Sequence, residues 1–231
     1  MATRPDLADL LARAAREISS HGDLDSTLDA VVGCLTASLP APHHVGVTTL
    51  LRDGTLETGP ASHELVRELD QLQLSTGEGP TLDALAQTPV VAVESLPHDQ
   101  RWNRYVPLAA AHGVRSQLAV RLSVEERTWG ALAVCSTTSD HLDPLVVRTT
   151  TLFAQYAAVA VERARREDNL KTALRTRKLI GQAIGIVMER FELDEEMAFR
   201  YLVRLSSNSN VKLRDVARDL VVQANGRNGV S

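Results

Sequence analysis

From Leu145 to Ile180 the chain contains neither glycine nor proline. These two residues interrupt helices most effectively, one by loosening the backbone and the other by removing a donor. The stretch keeps a helical period. Leu142, Leu145, Thr149, Leu152, Tyr156 and Val159 follow a three-four rhythm. Leu170, Leu174, Ile180, Ile184, Val187, Met188 and Phe191 repeat at three-to-four spacing further on. A helix that closes one domain is therefore expected to run directly into the helix that opens the next. Its first part has the spacing of a parallel coiled coil, which makes a homodimer the expected assembly.

Two short helices should follow. Asp194 is placed to cap the first of them, with Ala198, Tyr201, Leu202 and Leu205 as its apolar stripe. Ser206 to Asn210 reads as a polar break. The last helix carries Leu213, Val216, Ala217, Leu220 and Val221 on one face, with Lys212, Arg214 and Arg218 off it. Each stripe is too small to hold a helix alone, so the three must close on one another or on a partner chain.

Charge separates the same two regions. Residues 1–168 carry 14 basic and 22 acidic side chains, and residues 169–231 carry 11 and 7. A nucleic acid would be attracted to the C-terminal region and repelled elsewhere. The densest basic run is Arg163, Arg165, Arg166, Lys171, Arg175, Arg177 and Lys178. A solvated helix face accounts for such a run by itself. Lys212, Arg214 and Arg218 add a second basic group on a helix expected to fold back alongside. Two basic faces meeting at a groove can follow phosphates, while Gln182 and Asn210 can hydrogen-bond the base edges of an unpaired loop.

The N-terminal region mixes elements. Helical spacing covers about Asp6–Ser19 and the segment from Leu24 to the prolines at 40 and 42. A strand and hairpin occupy His44–Leu51 and the Arg52-Asp53-Gly54-Thr55 turn. Ser62–Leu74 is helical, a glycine-rich loop enters a short helix, and PVVAVE reads as a buried strand. Arg101–His112 is expected as a helix closed by Gly113, and Val114–Val124 and Thr128–Ser136 as paired strands.

Reactive chemistry finds little support. The histidines at 43, 44, 98, 112 and 141 show no metal-ligand spacing, and the serines and the two cysteines lack a G-x-S-x-G elbow or a Cys-His signature. No enzyme activity, catalytic residue, metal or cofactor is expected. GEGP at Gly77–Pro80 has backbone amides for an anion but no P-loop lysine, which favours a structural turn. Trp102, Tyr105 and Trp129 are candidates for a ligand-pocket wall, and equally for core or dimer-interface positions. No apolar run is long enough to span a bilayer and the first residues do not form a secretory signal, so a cytoplasmic location is expected.

Thr176-Arg177, I-x-QA-x-GI-x-M-x-R from Ile180 to Arg190, E-x-x-AF at Glu195–Phe199 and SN-x-KL-x-DVA ending at Ala217 resemble the ANTAR family of RNA-binding transcription antiterminators. The sequence departs from that family at Ile184, where a basic residue is common, and at Glu192, where glycine is common. GEGPTLDAL, V-x-V-E-x-L-x-x-D-x-RW from Val91 to Trp102, A-x-x-HGVRSQLAVRL and W-GALAVCS resemble the GAF domain. A cysteine frequent in such domains is replaced by Thr81, which argues against thiol sensing there.

The resemblances imply an α+β fold, with a GAF-like antiparallel sheet flanked by helices over residues 1–162. A long helix would join it to a three-helix ANTAR-like module over 163–225, with a disordered tail at 226–231. They also imply binding of paired RNA stem-loops, for which the basic and amide side chains Arg175, Arg177, Lys178, Gln182, Asn210, Lys212, Arg214 and Arg218 are the candidate contacts, under control of a small-molecule or protein input at the sensor. The alternative expectation is a sensing dimer whose C-terminal helices bind a protein or duplex DNA.

Overall fold

Apolar alternation in the middle of the chain is realised as five strands. In the computed structural model, which describes residues 7–20, 22–40 and 42–228, these are β1 (His44–Leu50), β2 (Leu56–Ala61), β3 (Val90–Val93), β4 (Ser116–Val124) and β5 (Arg127–Ser136). They form one antiparallel sheet in the order β2-β1-β5-β4-β3. Period-two side-chain geometry divides its apolar residues between two faces. Leu118, Val120, Leu122, Leu132 and Val134 join one core cluster, and Ala119, Ala133 and Cys135 join the other.

Helices cover both faces. The first cluster takes α1 (Leu7–Ser19), α2 (Leu24–Ser38) and the beginning of α6 (Pro144–Phe191), through residues such as Ile18, Leu35, Val146, Phe153, Ala157 and Val161. The second takes α3 (Glu64–Thr76), α4 (Pro80–Ala86) and α5 (Tyr105–Ala111), through Leu69, Ala84 and Tyr105. Asp23 caps α2 by accepting from the Ser26 amide at 2.8 Å. The fifth helix begins later than its expected start at Arg101. Asp99 accepts from the Arg101 amide at 2.9 Å and pairs with its guanidinium, holding the chain in a turn before Tyr105.

The chain divides into two units, Met1–Glu167 and Asp168–Ser231. The boundary falls five residues beyond the expected one, inside α6, which continues unbroken across it. The second unit contains the remainder of α6, α7 (Glu195–Ser209) and α8 (Leu213–Asn228). Among the described residues, Ala183, Val187, Ala198, Leu202, Val216 and Ala217 are buried in its core. Three of these six are alanines, which lets the helices approach closely. Asp194 does cap α7, accepting from the Met197 amide at 2.7 Å.

Two expectations for this unit are corrected. The polar stretch Ser206–Ser209 is helical, because Ser209 donates to the Leu205 carbonyl at 2.7 Å rather than ending the helix. The break is confined to Asn210–Lys212. Helix α8 also continues three residues into the segment expected as a tail, and residues 229–231 lie outside those described.

Candidate nucleic-acid interface and ligand pocket

The buried side of α6 within the second unit is marked by Ala183 and Val187, with Leu179, Ile180, Ile184 and Met188 partly buried around them. At 3.6 residues per turn, Arg175, Lys178 and Gln182 fall together on the far side, and all three are exposed. Arg177 is also exposed but sits on a different flank. It borders an open groove of about 520 Å³ with Ala173, Thr176, Ile180, Gly181, Ile184 and Glu195. The expected basic surface of this helix is therefore two surfaces. Ile184, where the family often has a basic residue, is part of the apolar packing and the groove.

On α8, Arg214 and Arg218 share one face and both approach Asp215, at 3.7 Å and 2.8 Å. Lys212 precedes the helix and is exposed. Asn210 is the C-cap of α7, in the left-handed conformation at φ 53° and ψ 31°. Its position is explained by the backbone, since asparagine tolerates that conformation better than most residues. Glu192 occupies the same region at φ 53°, where family members often have glycine.

The N-terminal part of the basic run belongs elsewhere. Arg163 pairs with Glu167 at 2.9 Å and Arg166 pairs with Glu162. Arg165 turns towards the sheet, donates to the Leu50 carbonyl at 2.8 Å and lies 5.1 Å from the Trp129 ring centre. Sequence spacing offered no sign of this, because neither partner is local and Leu50 lies 115 residues away along the chain.

Trp102, Tyr105 and Trp129 do not line a common pocket. Trp102 and Tyr105 are buried in the core cluster on one sheet face, and Trp129 belongs to the cluster on the other. The reason is a bulge. Leu122 pairs with Gly130 and Ser123 with Thr128, leaving Trp129 as the extra residue and turning its side chain to the face of Leu132. The Trp102 indole donates to Asp83 at 3.1 Å and the Tyr105 hydroxyl to Gln117 at 2.6 Å. Burial pushes the Tyr105 phenol far above its ordinary range. Both aromatic residues are satisfied core groups.

The glycine loop is likewise filled from within. Gly77 closes α3 at φ 70°, and Gln73 reaches across to accept from the Thr81 amide at 2.7 Å and donate to the Thr81 hydroxyl at 3.1 Å. A Cβ on Gly79 would collide with Gln73. The space an anion would need holds a side-chain amide. Thr81 is buried, and burial pushes the Cys135 thiol up to about 12 and, with Glu17 nearby, the Cys34 thiol up to about 11. Neither thiol is activated. Among the described residues, no helix is long and apolar enough to cross a membrane, and no group of three His, Cys, Asp or Glu could hold a metal ion.

A five-stranded antiparallel sheet with helices on both faces, continued by a long helix into a small helical unit, defines an α+β fold with an appended helical module. The GAF domain family matches residues 3–162, and the ANTAR domain matches residues 168–221. The chain belongs to the GAF family and carries an ANTAR domain at its C-terminal end.

Solved structures share the fold. The GAF domain of a phosphoenolpyruvate-protein phosphotransferase from Coxiella burnetii is 16% identical, with TM-score 0.59, covering 73% of this chain and 99% of that one. Free methionine-R-sulfoxide reductase from Neisseria meningitidis, solved in complex with its substrate, is 16% identical, with TM-score 0.53, covering 72% and 95%. Comparison with curated protein sequences gives no match.

Proposed function

We propose that the protein is a cytoplasmic, non-enzymatic regulator of transcription antitermination, in which the GAF domain controls RNA binding by the ANTAR domain. The observation that carries this reading is the exposed basic and amide group Arg175, Lys178 and Gln182 on α6, together with Lys212, Arg214 and Arg218 at α8, all within the ANTAR match. Lysine and arginine on helix surfaces neutralise phosphates, and a neighbouring amide can read unpaired bases. Paired stem-loops are the expected target.

The working assembly is a homodimer. Leu145, Tyr156 and Val159 are exposed, and Leu152 is partly so, on a face of α6 separate from the one packed in the core. Leu142 and Thr149, the other two positions of the expected rhythm, are buried, and the separations of seven, four and three residues among the remaining four suit a parallel coiled coil. Two chains would then present two ANTAR domains to two stem-loops.

A second reading has its own support. The apolar groove beside Ile180 and Ile184, with exposed Met197 and Phe199 in the same unit, suits a protein partner. The test is binding of the full chain to a paired stem-loop RNA, its loop-scrambled version and duplex DNA across a salt series. Preference for the intact stem-loop supports the RNA reading. Equal affinity for all three removes it and leaves nonspecific charge attraction.

A further inference from the structure

We propose that the GAF domain binds a small, multiply charged oxyanion at a site formed by Arg52, Arg127, Trp129 and Arg165, where the end of β1 meets the start of β5 beside α6. This deepens the sensor reading by assigning the input a place and a chemical class. The four residues line an open pocket of about 500 Å³ with Leu50, Leu51 and Thr128. The hairpin end of β1, the first residue of β5 and the helix that leaves the domain bring them together.

Charge is unbalanced there. Arg52, Arg127 and Arg165 have no ion pair among the described residues. Glu57 acts on Arg165 at longer range and is outnumbered. Arg127 and Arg165 lie 4.8 Å and 5.1 Å from the Trp129 ring centre, which orients both guanidinium groups without neutralising them. Desolvation, and next the charge of Arg52, push the Arg165 guanidinium below its ordinary value.

Donors are also left over. Among the described residues, Nε and Nη2 of Arg165 and the indole Nε1 of Trp129, itself only 8% exposed, are buried without a hydrogen-bond partner. Unsatisfied buried donors are uncommon and destabilising, more so on a cation. An oxyanion would accept from the exposed guanidinium groups of Arg52 and Arg127, with Arg165 contributing its charge, and balance three positive charges at once. Arg165 lies two residues before the boundary between the two units, so an occupant would tie the β1 hairpin and the start of β5 to the output helix. By helical spacing Arg165 faces away from Leu145, Leu152, Tyr156 and Val159, so the coiled-coil dimer leaves the pocket open.

The experiment is calorimetric titration of the full-length protein with pyrophosphate and with citrate, against chloride at matched ionic strength, with tryptophan fluorescence followed in parallel. Saturable binding of either anion is expected, with a fluorescence change and raised thermal stability. Preference between the two assigns the phosphate or the carboxylate class. The double variant R52Q/R127Q alters two exposed positions and should weaken binding by about tenfold or more, as loss of charged hydrogen bonds implies. R165Q, which removes the third charge, should also weaken it, and R200Q on α7 should not. Absence of saturable binding, or affinity unchanged in R52Q/R127Q, overturns the proposal. No RNA enters the titration, so its outcome is separable from that of the RNA-binding reading.

Discussion

The Thr48 hydroxyl lies 2.7 Å and 2.6 Å from the two carboxylate oxygens of Asp70, and both side chains are buried between β1 and α3. Burial pushes the Asp70 carboxyl above its ordinary range, and hydrogen bonds from Thr48 and Thr58 offset part of that rise. The folded protein therefore keeps this proton to higher pH than the unfolded chain does. Between the two values the native state binds more protons, so stability falls as pH rises through that window. Asp70→Asn keeps an acceptor for Thr48 and has no charge to bury. It should flatten this part of the pH profile and raise stability near neutral pH, as measured by urea unfolding across a pH series. Parallel profiles for the two proteins would rule out a buried ionisable carboxylate as the cause.

Gly130 pairs with Thr49 of β1. A Cβ at this position would strike the Thr48 carbonyl oxygen, which is main chain and cannot swing aside. Gly130→Ala should force the two central strands apart and lower stability by about 1–3 kcal/mol, the usual range for overpacking a closed core. Denaturant unfolding followed by tryptophan fluorescence checks this, since Trp129 is the adjacent residue. An unchanged midpoint would show that the bulge relaxes freely.

Asp194 holds the start of α7 through its bond to the Met197 amide. Asp194→Ala should remove about 1 kcal/mol from the ANTAR domain. Both tryptophans, Trp102 and Trp129, lie in the first unit. The loss should therefore shift the far-UV circular dichroism transition while leaving the fluorescence transition in place. A fluorescence shift of equal size would mean that the two units unfold as one.

Arg175, Lys178 and Gln182 share a helix face from which Arg177 is excluded, so single substitutions should not be equivalent. Lys178→Ala is expected to weaken RNA binding and reduce the slope of log affinity against log salt by about one, as the loss of one phosphate contact does. Arg177→Ala, beside the apolar groove, should change that slope less. Filter-binding titrations across a salt series make the comparison. If Arg177 produces the larger change, RNA follows the groove flank of α6 instead.

Much of the chain follows from local pattern. The run from Leu145 to Ile180 without glycine or proline dictates one helix, and α6 is one helix from Pro144 to Phe191. Asp194 acts as the cap its position implies, and the strand pairs fall where alternation and turn residues place them. These features depend on neighbours a few residues apart. The GAF and ANTAR matches span the stretches that carry the quoted motifs.

What the sequence by itself determined is therefore the element order, the two-part organisation and the family. Only the tertiary structure decided which side of each element meets which partner. Period-two alternation along β5 places Trp129 with Ala131 and Ala133, but one extra residue at the bulge reverses it and separates Trp129 from Trp102 and Tyr105. A basic run along α6 reads as one surface, but packing turns Arg165 onto the sheet and leaves Arg175, Lys178 and Gln182 outside. Local propensity extends over a few residues. The meeting of Arg52, Arg127 and Arg165 depends on closing a sheet whose strands are far apart in the chain, and that closure is set by burial of the whole core.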